Sequence, residues 1–237
     1  MRILHVSDLH GRAFAQVGRL VRQLKPDWIV LTGDLLDDPT WIPGEHRRGA
    51  RQLRLWGRVR EGFALEGATT TLVRGNHERE GFEDLAWQVA RPPGLEAQVG
   101  VLEGIPAEFG PWGFPRERDA ADLARELEAQ GPRRIWLSHV PPFGILDRTR
   151  HGVQVGHRPL AGVLQGSDAP DLVLCGHVHE SFGAQTVGRT LVVNAAAGYA
   201  HLEWHPETGR TDLLALEVLV RYRPWRGFLE ALRPVPG

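Results

Sequence analysis

Residues 2–10 read Arg-Ile-Leu-His-Val-Ser-Asp-Leu-His, and residues 28–37 read Trp-Ile-Val-Leu-Thr-Gly-Asp-Leu-Leu-Asp. Each stretch is an apolar run that leads into acidic residues. Between them, Phe14–Leu24 has apolar residues at helical spacing, which is the pattern of an amphipathic helix. A short apolar run, an amphipathic helix and a second short apolar run predict a β-α-β unit, so the chain opens as an α/β protein.

The alternation of strands and helices continues to about residue 180. We expect three more strands there, at Leu72–Val73 with the threonines before it, at Arg134–Ser138 and at Asp171–Cys175. Helices are expected at about residues 46–63, 82–90, 117–130 and 158–165. After residue 180 the pattern predicts only short strands, at Gly183–Val187, Thr190–Asn194, His201–Trp204 and Leu213–Val218. This change predicts a second sheet packed on the first.

Composition limits the class of protein. With 237 residues, 42% hydrophobic and 24% charged, the chain is typical of one globular domain, which we place at residues 1–220, followed by a tail at 221–237. No uncharged apolar run reaches about 18 residues, and polar residues follow soon after Met1, so we expect neither a membrane span nor a secretion signal but a cytoplasmic protein. Cys175 is the single cysteine, which excludes an intramolecular disulfide and a zinc site built from cysteines.

Five groups of polar residues follow apolar runs. They are Asp8-Leu9-His10, Gly33-Asp34-Leu35-Leu36-Asp37, Gly75-Asn76-His77-Glu78, Ser138-His139 and Gly176-His177-Val178-His179. Open α/β sheets bind ligands outside the carboxyl ends of their strands, so these groups can meet in one crevice although they are far apart in the sequence. Any one group alone is typical of a turn or a helix cap, but five at the same kind of position predict a shared site.

The side chains of these groups suit two divalent cations. Two metal ions about 3.5–4 Å apart require oxygen and imidazole ligands, a bridging carboxylate and open positions for water and substrate. The groups supply carboxylates at positions 8 and 34, an amide at 76 and imidazoles at 10, 139, 177 and 179. In the Asp-x-His and His-x-His pairs the two ligands are two residues apart, so on a strand both would point to one side.

In this order, D-x-H, G-D-x-x-D, G-N-H-E, H and G-H-x-H resemble the motifs of the calcineurin-like binuclear metallophosphoesterases, and among them the class III cyclic nucleotide phosphodiesterases. The stretch Ser138–Asp147, together with Gly176–Glu180 and Asn194-Ala195, is similar to the metallophosphoesterase-domain proteins of animals and their bacterial relatives. The resemblance covers residues 1 to about 217. It implies a four-layer α/β/β/α sandwich with two facing mixed sheets, and no expected metal ligand is missing.

The resemblance also implies a role for each motif residue. One metal ion would be held by Asp8, His10, Asp34 and His179, and the other by Asp34, Asn76, His139 and His177, with Asp34 as the bridge. His77 would act at the substrate phosphate and its leaving group, Glu78 would orient His77, and Asp37 would support the site by hydrogen bonding. The expected reaction is attack of a metal-bridging hydroxide on a phosphate ester. Manganese is the expected metal, with iron and zinc as alternatives.

The resemblance favours diesters, including cyclic nucleotides, over monoesters, but the metal ligands do not encode that choice. Two other functions remain as alternatives: a nuclease of the double-strand-break repair type and a catalytically silent binding module on the same fold. The complete ligand set argues against the silent module. Outside two arginine-rich stretches, residues 46–60 and the tail, the chain is acidic, which argues against a nucleic-acid substrate.

The expected partners follow from the same observations. We expect a small phosphate-ester substrate, no membrane and no nucleic acid. The tail could pack on the domain or join a second copy of the chain in a homodimer. The arginines of residues 46–60 either attract phosphate substrates or form the solvated face of a surface helix.

Overall fold

The computed structural model describes residues 1–36, 57, 67–77, 90–102 and 120–221. Within these residues the strands are β1 (Arg2–Ser7), β2 (Trp28–Leu31), β3 (Thr69–Leu72), β4 (Val99–Leu102), β5 (Ile135–Ser138), β6 (Leu172–Cys175), β7 (Gly183–Val187), β8 (Thr190–Asn194), β9 (Gly198–Trp204) and β10 (Thr211–Val218). The helices are α1 (Phe14–Leu24), α2 (Ala120–Gln130) and α3 (Arg158–Val163), and a 3-10 turn covers His179–Ser181. No helix in the described part of the chain is long and apolar enough to span a bilayer.

The ten strands form two mixed sheets of five strands each. The first sheet has the order β10-β9-β1-β2-β3, in which β1, β2 and β3 are parallel and β9 is antiparallel to both of its neighbours. The second has the order β4-β5-β6-β8-β7, in which only β7 is antiparallel. Two facing mixed sheets are therefore confirmed.

Three apolar layers hold the sheets and helices together. Helix α1 packs Phe14, Val17 and Val21 on one face of the first sheet. A second layer lies between the two sheets, and a third packs α2 and α3 on the outer face of the second sheet. Because each sheet is covered on both faces, the arrangement has four layers, as expected for the α/β/β/α sandwich.

Helix α1 begins and ends where its apolar spacing predicts. Its last turn closes on Lys25, which adopts a left-handed backbone conformation and donates its N–H to the Val21 carbonyl at 2.9 Å. Helix α2 ends in the same manner at Gly131, which has a φ of 67° and donates to Leu127 at 3.1 Å. Gly131 is followed by Pro132, which cannot continue a helix.

Two expectations about the strands are wrong. The short strands after residue 180 do not form a sheet of their own, because β7 and β8 complete the second sheet and β9 and β10 complete the first. Strand β4 was not predicted, because it is only four residues long and contains Gly100. The predicted helices at 46–63 (apart from residue 57) and 82–90 (apart from residue 90), and nearly all of the tail, lie outside the described residues.

The register of the parallel strands sets the position of the polar groups. In the first sheet Val6 of β1 pairs with Leu31 of β2, and in the second Leu137 of β5 pairs with Leu174 of β6. Because neighbouring strands end level with each other, the loops that follow them start side by side at one edge of each sheet.

At the opposite ends of the strands, Asp171 connects several elements. Its buried carboxylate accepts hydrogen bonds from Arg134 at 2.7 Å and Arg189 at 2.6 Å. Arg134 also bonds the Pro206 carbonyl in the β9–β10 turn and lies 5.1 Å from the Trp204 ring centroid. The carboxylate therefore connects the starts of β5, β6 and β8 and, through Arg134, the first sheet.

We predict that Asp171→Ala lowers the free energy of unfolding by about 2–3 kcal/mol, because it leaves a half-buried guanidinium without its partner. Urea unfolding measures this change. The matched control is Asp122→Ala, which removes an exposed ion pair with Arg125 on α2 and should cost less than about 0.5 kcal/mol. Equal losses in the two variants would contradict the connecting role of Asp171.

Candidate metal centre

The loops after the parallel strands are hydrogen-bonded to one another. In the first sheet, Asp8 donates its N–H to the Gly33 carbonyl and His10 donates to the Asp34 carbonyl, both at 2.9 Å. In the second, Gly176 donates to the His139 carbonyl at 2.9 Å. These bonds continue the sheet pairing past the ends of the strands, so the polar groups are fixed by backbone contacts.

The candidate ligands lie in left-handed turns. Asp8, His10, Asp34 and His177 have φ values of 55°, 46°, 50° and 69°. This region is sparsely populated by residues other than glycine, and such strain concentrates at functional sites. The expectation that the Asp-x-His and His-x-His pairs face one side because they lie on strands is therefore wrong. They follow the strands, and the reversed turns bring their side chains together.

Two glycines allow the backbone to approach the carboxylates closely. A Cβ atom on Gly75 would overlap the side chain and backbone nitrogen of Asp34, and one on Gly176 would overlap the side chains of Ser7 and Asp8. Neither contact could relax by rotation of a flexible chain end. The motif positions 75 and 176 therefore require glycine for reasons of space.

The first group of candidate ligands is formed by Asp8, His10 and His179. The Nε2 atom of His179 lies 3.2 Å from Oδ1 of Asp8, and the His10 and His179 ring centroids are 5.4 Å apart. One ligand atom from each residue lies within 4.8 Å of the others. Asp8 is buried, and its Oδ2 accepts hydrogen bonds from Ser7 Oγ at 2.5 Å and the His177 N–H at 2.9 Å.

The second group is formed by Asp34, His139 and His177. The Nε2 atom of His139 lies 3.5 Å from Oδ2 of Asp34, 3.2 Å from Nδ1 of His177 and 3.0 Å from Oδ1 of Asn76. The ligand atoms of this group also lie within 4.8 Å of one another. The group brings together residues from the ends of β2, β5 and β6 and the loop after β3.

Asp34 belongs to a third group, with His10 and His77. The Nε2 atoms of His10 and His77 lie 3.8 Å and 3.9 Å from Oδ2 of Asp34, and the His77 N–H donates to Oδ1 at 2.8 Å. The His10 and His77 rings meet edge to face at 4.5 Å. Asp34 thus lies between the groups as a bridging carboxylate would, and His77, expected at the substrate, is also close enough to be considered as a ligand.

The electrostatics of the protein groups alone favour positive charge here. Burial raises the pKa of Asp34, but the neighbouring imidazoles of His139, His77 and His10 outweigh it and hold that pKa well below its usual range. Burial lowers the pKa of His139, yet Asp34 and Asp8 raise it to about 10. For His177, burial and the neighbouring His139 lower the pKa to about 4. Two buried carboxylates surrounded by imidazoles form a donor set that suits borderline divalent cations.

Residues that are not candidate ligands also fix the orientation of the ligands by hydrogen bonds. The Nδ1–H of His139 donates to the Thr32 carbonyl at 2.7 Å, which leaves Nε2 directed toward Asp34 and Asn76. Such outer contacts fix the tautomer of a ligating histidine. Ser7 and Thr32 were not predicted as site residues, because a hydroxyl or a carbonyl that bonds a ligand side chain leaves no motif in the sequence.

Two predicted site residues, Asp37 and Glu78, lie outside the described residues, so their supporting roles stay predictions. Cys175 is buried at the end of β6, where burial raises the pKa of its thiol. A buried thiol of raised pKa is a poor nucleophile.

An open cleft of about 550 Å³ lies beside His179. It is lined by His179, Glu180, Ala196, Ala197, Val218, Val220, Arg150 and Arg221. The lining combines small apolar residues with two guanidiniums and one carboxylate. Such a cleft can contain an organic group attached to a phosphate, with net positive charge at its walls.

The chain is similar in sequence to a known family and to proteins of that family. The family model described as calcineurin-like phosphoesterase matches residues 1–181. The cAMP/cGMP dual specificity phosphodiesterase MT0825 of Mycobacterium tuberculosis is 29% identical over 224 residues, which cover 83% of this chain and 67% of that protein. The human metallophosphoesterase domain-containing protein 1 is 37% identical over 90 residues, covering 37% of this chain and 27% of that protein.

Solved structures share the fold at low sequence identity. The protein TT1561 of Thermus thermophilus matches with a TM-score of 0.54 at 18% identity, covering 90% of this chain and 97% of that one. A dimetal phosphatase from Danio rerio matches with a TM-score of 0.50 at 13% identity, covering 85% and 92%.

We predict that Gly75→Ala weakens binding of Mn²⁺ by about 10-fold or more, because the added methyl group displaces Asp34. Equilibrium dialysis of the purified protein against Mn²⁺ measures the affinity and the stoichiometry. The control is Gly162→Ala on α3, where a Cβ atom would meet open space, and its Mn²⁺ binding should match wild type. Wild-type affinity in Gly75→Ala would show that the close approach does not position Asp34.

Proposed function

Since the chain belongs to the calcineurin-like phosphoesterase family, we propose that it hydrolyses phosphodiesters with two divalent metal ions, manganese first among them. The observation that carries the proposal is the position of Asp34. Its carboxylate is within 4 Å of imidazoles from three different loops, and it shares one group with His10 and another with His139 and His177. A single carboxylate shared by neighbouring ligand groups is what a bridged pair of metal ions requires.

The ligand set proposed from the sequence fits this geometry. In this proposal Asp8, His10 and His179 would hold one ion, and His139, His177 and Asn76 would hold the other. Asp34, which groups with His10 and with His139 and His177, would be shared by both ions. Two divalent cations held there would supply an activated water and would neutralise the phosphate oxygens. The silent-module alternative is less well supported, because every ligand position of the motifs retains a ligating side chain.

The protein's own groups would orient the ligating carboxylates and donate a proton or a hydrogen bond to the leaving group. Ser7, the His177 N–H and the His77 N–H bond the carboxylates of Asp8 and Asp34, which fixes the direction of their remaining lone pairs. The His77 imidazole is one-third exposed, so a substrate bound at the centre could reach it. From there it can donate a proton or a hydrogen bond to the departing oxygen.

Two observations support diesters over monoesters. The mycobacterial relative that aligns with most of this chain is named a cAMP/cGMP phosphodiesterase. In addition, His179 lines the cleft, whereas His77 belongs to a different ligand group. A diester has two ester oxygens, so one can depart beside His77 while the organic group still attached through the other lies in the cleft near Arg150.

The first test is turnover by metal-free protein reconstituted with Mn²⁺. We predict metal-dependent hydrolysis of bis(p-nitrophenyl) phosphate with a higher kcat/KM than that of p-nitrophenyl phosphate. Asp34→Asn should lower the diester activity by roughly 10³-fold, since it removes charge from both metal sites at once. The matched control is Asp168→Asn, the same change at an exposed carboxylate away from the centre, and it should leave kcat/KM unchanged.

The outcomes of this experiment test the hydrolase, the diester preference and the bridging role of Asp34 separately. No metal-dependent turnover of either ester would refute the proposed hydrolase. Faster turnover of the monoester would retain the hydrolase and refute the diester preference. Wild-type activity in Asp34→Asn would contradict the bridge.

A second test distinguishes a His77 that acts at the leaving group from a His77 that binds a metal ion. We predict that His77→Ala keeps two bound Mn²⁺ per chain and loses about 10²-fold in kcat on a cyclic nucleotide, whose alkoxide leaving group needs a proton. The loss should be much smaller on bis(p-nitrophenyl) phosphate, because p-nitrophenolate departs without assistance. Loss of one metal ion would instead assign His77 as a ligand, and an equal kinetic loss on both esters would assign it to phosphate binding.

A further inference from the structure

His5 is a buried imidazole that has no assigned role in the reaction. It lies in the middle of β1 on the side that faces the second sheet, and none of its surface is exposed. Its Nε2 atom is 2.8 Å from the Thr32 hydroxyl, and its Nδ1 atom has no hydrogen-bond partner among the described residues.

An imidazole is a poor fit to the apolar core at this position. Burial lowers the pKa of His5 to about 3, so the ring is neutral at ordinary pH and contributes no charge to the site. A buried polar atom without a partner costs roughly 1–3 kcal/mol. Its strand neighbour on the same side, Ile3, lies in the apolar layer between the sheets, where an aliphatic side chain would pack without that cost.

The partner of His5 is connected to a candidate ligand. Thr32 is fully buried just after β2, and its N–H donates to the Val6 carbonyl at 3.1 Å. Its own carbonyl accepts the Nδ1–H of His139 at 2.7 Å. The hydroxyl bond to His5 is therefore a third restraint on the residue that sets the tautomer and the direction of His139.

We propose that His5 is a positioning residue of the metal centre, which holds Thr32 so that the Thr32 carbonyl keeps His139 Nε2 directed at the metal position beside Asp34. The proposal rests on the proposed function, because it assumes that His139 is a ligand. His5 touches neither substrate nor metal. Its effect passes through one hydroxyl and one carbonyl.

The same side of β1 carries a second contact of this kind. Ser7, two residues beyond His5, donates its hydroxyl to Asp8 Oδ2 at 2.5 Å. Side chains two apart on a strand share a face. The inward face of β1 therefore changes from apolar at Ile3 to polar at His5 and Ser7 as the strand approaches the centre, and both polar side chains support candidate ligands or the residues behind them.

The test is a Mn²⁺ titration of wild type, His5→Leu, His5→Gln and Thr32→Val, with stability measured on the metal-free proteins. We expect His5→Leu and Thr32→Val to weaken one of the two Mn²⁺ sites by about 10-fold, the lower end of the effect of outer contacts on metal affinity. His5→Gln should restore most of that affinity, since the amide nitrogen of glutamine can reach the position of Nε2. The metal-free His5→Leu protein should be close to wild type in stability, because removal of the Nδ1 atom that has no hydrogen-bond partner offsets the hydrogen bond that Thr32 loses.

A matched control removes a similar buried hydroxyl away from the centre. Thr71 on β3 accepts the Nε1–H of Trp28 at 2.7 Å. Thr71→Val should therefore lose stability and keep wild-type Mn²⁺ affinity. A merely structural His5 would behave like Thr71, with lower stability, unchanged affinity and no rescue by glutamine.

The outcomes distinguish this inference from the proposed function. Wild-type protein that binds fewer than two Mn²⁺ would refute the binuclear centre itself. Two sites in wild type with unchanged affinities in both His5→Leu and Thr32→Val would refute only the positioning role. At saturating Mn²⁺ the His5→Leu variant should recover most of its turnover on bis(p-nitrophenyl) phosphate, because His5 acts through metal binding.

Discussion

Two buried carboxylates at the seam between the sheets are the constraint on which the rest of the structure depends. Asp8 and Asp34 have lost almost all contact with solvent, and an ionised carboxylate in such a place costs several kcal/mol unless positive charge or hydrogen bonds surround it. The chain supplies imidazoles from His10, His139 and His179, and backbone N–H groups from His77 and His177. These contacts link the loops of one sheet to the loops of the other.

The burial of Asp8 and Asp34 between the two sheets is accompanied by strained backbones in the ligand loops. The chain turns at Asp8 and at Asp34, after β1 and β2, and the left-handed φ values of these two residues are part of those turns. Such conformations persist only where neighbouring contacts determine them. Here the pairing of the loops past the strand ends and the close approach of Gly75 and Gly176 provide those contacts.

The sequence predicts local features well and pairing between distant segments poorly. Helix α1 and strands β7 and β8 lie where the pattern places them, because each is decided by the spacing of apolar residues within a few turns. The separation of β9 and β10 from β7 and β8 into different sheets was not predictable from spacing, since an edge is chosen by contacts with strands that are far away in the sequence. The convergence of the polar groups was predictable, because a parallel topology brings strand ends together. The contacts of Thr32 and His5 were not, because they depend on side-chain positions in the folded protein.

The candidate ligands and most of the residues that line the cleft lie on different kinds of structure. The candidate ligands come from loops fixed by sheet register and backbone hydrogen bonds, so their relative positions are a property of the fold. The cleft residues Arg150, Val218 and Arg221 come from a loop and from the end of an edge strand, where substitutions disturb few buried contacts. The candidate ligands and most of the cleft lining therefore belong to different segments, with His179 common to both. This separation is why the motifs are sufficient to indicate a phosphoesterase, whereas the organic part of its substrate has to be inferred from the shape and charge of the cleft.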